Sequence, residues 1–63
     1  MIDLFGDAIG PQDMLACARR ELAMRERVYP RWVALRKMKQ ADADRETAVM
    51  RAIVAHFEEA VRR

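Results

Sequence analysis

The chain has 63 residues, of which 52% are hydrophobic, and its formal net charge is +2. A chain this short buries only about 60% of its unfolded surface, and proteins of this size usually add disulfides, a metal or oligomerisation. With one cysteine an internal disulfide is excluded, and one histidine argues against a metal site. We therefore expect self-association and no cofactor.

Residues 1–10 are predicted to form an N-terminal arm ahead of a helical-hairpin domain that spans residues 11–63. Gly6 and Gly10 interrupt helical structure in the arm. No basic stretch resembles the start of a signal peptide, and no apolar run approaches the roughly 20 residues of a membrane span. The unpaired Cys17 suits a reducing compartment, so we expect a cytoplasmic protein that has no membrane partner.

The first predicted helix starts at Pro11, because proline is well placed where a helix needs no N–H donor, and runs to about Val28. Its apolar stripe has the spacing of three and four residues that marks one helix face: Leu15, Ala18, Leu22, Arg25, Tyr29 and Trp32. Pro30 removes one helical hydrogen bond, yet the stripe continues beyond it. We therefore favour a proline kink, or a short helical piece over about Pro30 to Arg36. The alternative is a clean break at Tyr29 with a reoriented short helix.

A turn over residues 36–40 precedes the second predicted helix, which runs from about Lys39 or Gln40 to Arg62. Its stripe comprises Ala43, Glu46, Met50, Ile53, Phe57 and Ala60. Two such stripes predict an all-α antiparallel helical hairpin. Because a charge buried alone is costly, we expect Glu46 to pair with Arg25, or to contact Tyr29 or Trp32.

A second apolar seam on the first helix predicts that the hairpin self-associates. This seam comprises Met14, Cys17, Met24, Val28 and Leu35. One partner helix covers only one seam, so the other requires a second chain, and a homodimeric four-helix bundle meets that requirement. Cys17 is then expected to be a small buried hydrophobic residue.

A cluster of arginine and tryptophan around Pro30 is the candidate partner-binding site. These residue types most often dominate binding energy, and the cluster comprises Arg27, Arg31, Trp32 and Arg36. The favoured alternative places Trp32 and Tyr29 in the core. The basic residues around the turn could also contact nucleic-acid phosphates. The low net charge and the acids of the second helix make nucleic acid the weaker interpretation.

The segment Ile2, Asp3, Leu4 and Phe5 resembles the short peptide with which bacterial proteins dock on the DNA polymerase sliding clamp, Gln-Leu-(Ser or Asp)-Leu-Phe. Met1 stands in place of the glutamine. The favoured alternative is an arm that folds back over the end of the bundle. The sequence contains no nucleophile with its base and no phosphate-binding glycine loop, so we expect no enzyme.

A longer pattern resembles a group of short phage and prophage proteins that generally lack an assigned function. It reads VYPRWV from Val28, then MxQAxADxE from Met38, and then MxAI from Met50. The resemblance implies an accessory protein that binds, and in some cases inhibits, a host protein. A structural assembly component is the alternative. Related sequences often have Gly in place of Arg36 and Ser or Thr in place of Lys39, which would supply a helix stop and an N-cap.

Overall fold

The computed structural model describes residues 9–63 and contains two α-helices in that range. Helix α1 spans Pro11–Ala34 and helix α2 spans Gln40–Arg62. They run antiparallel and pack against each other along their length. The all-α helical hairpin is therefore confirmed, and α2 begins and ends where the sequence predicts. The proposed linear motif at Ile2 to Phe5 lies outside the described residues.

The start of α1 follows from three consecutive sequence features. Gly10 is the N-cap residue and Pro11 occupies the first helical position. The Asp13 carboxylate accepts a hydrogen bond of 2.9 Å from the Gly10 backbone N–H. Asp13 also lies near the positive end of the helix dipole, which favours a negative charge. The predicted start at Pro11 is confirmed.

Helix α1 continues through Pro30, so the clean break at Tyr29 is wrong, as is a first helix that ends at Val28. Proline deletes one backbone hydrogen bond, while the residues on either side keep their packing. Tyr29 and Val33 are both half-buried, and the Tyr29 and Trp32 rings lie 5.6 Å apart between centroids. This continuous side-chain packing outweighs the lost bond.

The core lies along the contact between the helices and has four buried residues: Leu15, Ala18, Ala43 and Val54. Partly buried side chains pack around this core: Leu22, Met50, Phe57 and Val61. The interior stripe of α2 therefore passes through Val54 rather than Ile53, and the prediction that Glu46 and Ile53 face the core is wrong. The observed stripe contains no charge, so the cost of burying the Glu46 carboxylate is avoided.

The turn between the helices closes with a Schellman motif. The Arg36 N–H donates to the Val33 carbonyl at 3.0 Å and the Lys37 N–H donates to the Trp32 carbonyl at 2.8 Å. This motif requires a left-handed residue, and Arg36 adopts φ 60°. Lys39 is the N-cap of α2, in an extended conformation, and it makes no side-chain capping bond. Both turn positions are thus occupied by residues that fit them poorly.

The double variant Arg36→Gly, Lys39→Ser should stabilise the protein by roughly 1–2 kcal/mol. Glycine relieves the left-handed strain at residue 36, and serine can accept a hydrogen bond from the first turn of α2. Denaturant titration measures the gain. Lys37→Gly is the matched control, since Arg36 is the non-glycine residue with positive φ within residues 9–63. If the double variant gains no more than the control, the turn is closed in another way.

Candidate interaction surfaces

One side of the hairpin carries ion pairs that link the two helices. Arg19 pairs with Glu58 at 3.0 Å and Arg51 pairs with Glu26 at 2.9 Å. All four side chains are more than 40% exposed, so each pair contributes about 0–1 kcal/mol. These two ion pairs make this side of the hairpin polar.

The opposite side is largely apolar, and both helices contribute to it. Residues advance about 100° per position around an α-helix, which places six apolar side chains on the side away from the two inter-helix ion pairs, together with the Glu21–Arg25 pair of α1. We call the six apolar side chains the apolar face: Met14, Cys17, Met24, Val28, Val49 and Ile53. Met14 is 39% exposed, Val49 43% and Ile53 37%. Because Val49 and Ile53 follow the same i, i+4 spacing on α2 as Met24 and Val28 do on α1, the sequence contained the signal for this wider face.

Two further residues of the predicted seam are exposed in the single hairpin, as a seam that α2 does not cover requires. Cys17 is exposed, so its expected burial depends on a second chain. Leu35 is the C-cap residue of α1 and is 58% exposed at the end of the apolar face. Met24 and Val28 are half-buried. The predicted seam is thus left largely uncovered by α2.

The predicted pairing of Glu46 with Arg25 is also wrong. The Arg25 guanidinium instead lies 3.4 Å from the Glu21 carboxylate, one turn earlier on the same helix, and donates to the Glu21 carbonyl at 3.2 Å. Glu46 is exposed and makes no ion pair within residues 9–63. Exposure satisfies the Glu46 carboxylate with water, so it needs no partner inside the hairpin.

The predicted partner-binding residues divide between two places. Arg31, Trp32 and Arg36 lie at the closed end of the hairpin, which we call the tip. Arg27 is one turn away from Arg31 on the outer surface of α1, and about 140° around the helix from Trp32. Trp32 is 38% exposed, so the alternative prediction that its ring is buried in the core is wrong. Within the described residues the three arginines form no ion pair.

Residues that could perform chemistry are dispersed over the described part of the chain. Residues 9–63 contain no cluster of three His, Cys, Asp or Glu side chains that could hold a metal ion. The His56 ring stands edge-on to Phe57, with centroids 5.2 Å apart. A shallow cleft beside Tyr29 is lined by both acidic and basic side chains, including Glu26, Asp44 and Arg51. It is open to solvent and holds no buried polar group.

Comparisons with known proteins assign the chain to no family. No protein-family model, curated protein or solved structure matches it. Neither α1 nor α2 has an apolar stretch of the length that crossing a membrane requires. Within residues 9–63, the apolar face and the tip are therefore the two surface features that indicate a function.

Proposed function

We propose that this chain is a non-enzymatic protein-binding hairpin whose tip contacts an acidic surface of a partner protein. One observation carries the proposal: Trp32 remains 38% exposed beside arginines that form no ion pair within residues 9–63. Tryptophan and arginine supply most binding hot spots. The basic charge at the tip, which Asp42 offsets only in part, would accelerate encounter with an acidic partner.

The partner in this proposal is a protein of a bacterial host. The support is the resemblance of the pattern that begins at Val28 to short phage and prophage proteins. Such a protein acts in the cytoplasm of the host cell by occupying a functional surface of a host enzyme or defence component. Inhibition then follows from the occupied surface, and the hairpin needs no catalytic group of its own.

The proposed form of the protein is a homodimer, assembled as a four-helix bundle. The supporting observation is the apolar face, on which Met14, Val49 and Ile53 are each more than a third exposed. Exposed apolar side chains that adjoin one another typically mark a protein interface. A dimer would also present two tips to its partner.

Arg31→Glu and Arg36→Glu are each expected to weaken partner binding at least about tenfold, by removing a hot-spot donor and reversing the charge. The tagged chain is used to capture proteins from host lysate, the captured protein is identified by mass spectrometry, and its affinity is then titrated. Circular dichroism should show unchanged helix content. Arg20→Glu is the matched control, because Arg20 is also exposed and in no ion pair within residues 9–63 but lies three turns before Arg31 on α1, away from the tip.

Three other results would redirect the proposal. Steep salt-dependent binding of the parent chain to DNA or RNA in a filter assay would favour a nucleic-acid regulator that uses the tip, where Lys37 and Lys39 are also exposed. Loss of capture on deletion of residues 1–6, with the arginine variants unaffected, would favour the sliding-clamp peptide. Higher oligomers with no host protein captured would favour a structural assembly component.

A further inference from the structure

We propose that a second copy of this chain covers the apolar face, and that the two copies pack antiparallel. The tip of each copy then lies beside the open end of the other, where Pro11 and Arg62 are found. The inference rests on the self-association in the proposed function. It adds the α2 contribution, the direction of packing and the register.

The side of the hairpin that carries the apolar face has a footprint close to the area that a stable dimer needs. Helix α1 has 24 residues, which gives a length of about 36 Å. Two helices packed about 9 Å apart present a face roughly 18 Å wide, or about 650 Å² for each copy. Specific protein interfaces bury about 800 Å² per partner. A flat helix pair of this size therefore suits another flat helix pair, and the chain itself supplies one.

The charge at the tip favours antiparallel packing. Arg31, Arg36, Lys37 and Lys39 are all exposed there, and within the described residues none of them forms an ion pair. Parallel packing would bring two sets of four cations to the same end, each offset only in part by Asp42. Antiparallel packing separates them by about the 36 Å length of the helices, well beyond the roughly 10 Å over which salt screens exposed charges.

The residue pattern of α2 is self-complementary only in the antiparallel direction. Val49 and Ile53 lie along one edge of α2. Glu46 comes before Val49 on this edge and His56 comes after Ile53, and both are exposed. Packing α2 against α2 of the second copy, with residue 51 at the centre, sets Val49 opposite Ile53. The same register sets the Glu46 carboxylate opposite His56, so each polar end meets a polar group that can bond to it.

The register of α1 agrees with that of α2. Met24 lies midway between Met14 and Leu35, the outermost apolar residues of the seam. An axis between Met24 and Arg25 therefore sets Met14 of one copy against Leu35 of the other and places the two Met24 residues within one residue of each other. The Arg19–Glu58 and Glu26–Arg51 pairs align residue 24 of α1 with residue 53 of α2, which is about 3 Å from the α2 centre at residue 51.

Sedimentation equilibrium tests whether a second copy is the occupant. The parent chain should be a dimer at micromolar concentration. Ile53→Glu and Val49→Glu should each raise the dissociation constant by about a hundredfold or more, since each places two unpaired carboxylates in an apolar interface. Ala55→Glu is the matched control: it adds the same charge to an exposed position near the ion-paired side and should leave a dimer. A folded, monomeric parent chain overturns the proposal.

Cysteine crosslinking tests the direction of packing in a chain that retains its apolar face. In a Cys17→Ser background, Met24→Cys should oxidise to a covalent dimer, because antiparallel packing brings the two residue-24 positions within the roughly 7 Å that a disulfide allows. Ala23→Cys, on another side of α1, is the control and should crosslink far less. A dimer in which Met24→Cys crosslinks no faster than Ala23→Cys overturns the antiparallel register. A monomeric parent chain would also remove the homodimer from the proposed function, whereas a dimer with the wrong crosslink overturns the direction of packing alone. Neither result bears on capture of a host protein by the tip.

Discussion

Truncating Leu22 to Ala should remove a large part of the free energy of unfolding at 25 °C, and Val54→Ala should act in the same direction. Leu22 packs on the core cluster, and Val54 is 8% exposed within it. Removing a core leucine typically costs about 2–5 kcal/mol. A chain of this size has a total stability of roughly 3–9 kcal/mol, at about 0.05–0.15 kcal/mol per residue. Thermal unfolding followed by circular dichroism measures the loss.

Ile53→Ala is the control for these truncations, because Ile53 adjoins Val54 in the sequence but is 37% exposed. The comparison is made by Trp32 fluorescence in solution dilute enough to hold single chains, where the apolar face is uncovered. There Ile53→Ala should cost no more than about 0.5 kcal/mol, as surface substitutions do. If Ile53→Ala destabilised single chains as much as Val54→Ala, α2 would be rotated from its described position.

Enlarging Ala43 to Leu should cost about 1–3 kcal/mol through overpacking. Ala43 is 4% exposed and Ala18 is 5% exposed, so neither position has room for a larger side chain without separating the helices. Ala18→Leu should therefore have a similar effect. Denaturant titration of both variants would measure the free energy of unfolding.

Ala48→Leu provides the comparison for the overpacking variants. Ala48 is exposed on α2, and alanine and leucine have similar helix propensities. The free energy of unfolding of Ala48→Leu should therefore differ little from that of the parent chain. Equal stabilities for Ala43→Leu and Ala48→Leu would contradict a close approach of the helices at Ala43.

The sequence predicted the start of α1 and both ends of α2 because local chemistry sets them, whereas the end of α1 was misplaced at Val28, before Pro30. Pro11 and Asp13 define the start of α1, while the turn residues and the acidic start of α2 define the rest. The interior stripe of α1 was also predicted, through Leu15, Ala18 and Leu22. These signals involve residues within one or two turns of one another, so no tertiary information is needed to recognise them.

The face of α2 could not be selected from spacing alone. Ile53 and Val54 are adjacent, so two apolar stripes overlap on this alanine-rich helix, and both have the required period. The discriminating signal was the charge at residue 46, where the observed stripe has Thr47 instead. Desolvation of a carboxylate costs far more than desolvation of a hydroxyl that can bond to the backbone. The higher cost of burying the Glu46 carboxylate favours the stripe through Thr47 and Val54 over the stripe through Glu46 and Ile53.

The candidate surfaces depended on tertiary information in different degrees. Trp32 and Arg31 are neighbours in sequence, and both remain at the tip. Arg27 was grouped with Trp32 by proximity along the chain, although five residues turn it to another side of α1. The spacing of Val49 and Ile53 was visible in the sequence, but their place on the apolar face follows from the rotation of α2 that buries Val54.

The two inter-helix ion pairs and the apolar face lie on opposite sides, which gives the molecule two distinct responses to its solvent. Sodium chloride screens the exposed pairs of Arg19 with Glu58 and Arg51 with Glu26, which weakens the links across one side. Sulfate ions are excluded from protein surfaces and strengthen apolar burial, so they promote whatever contact forms over Val49 and Ile53 on the other side. The identity of the salt, and not only its concentration, therefore determines whether hairpin closure or association responds more strongly.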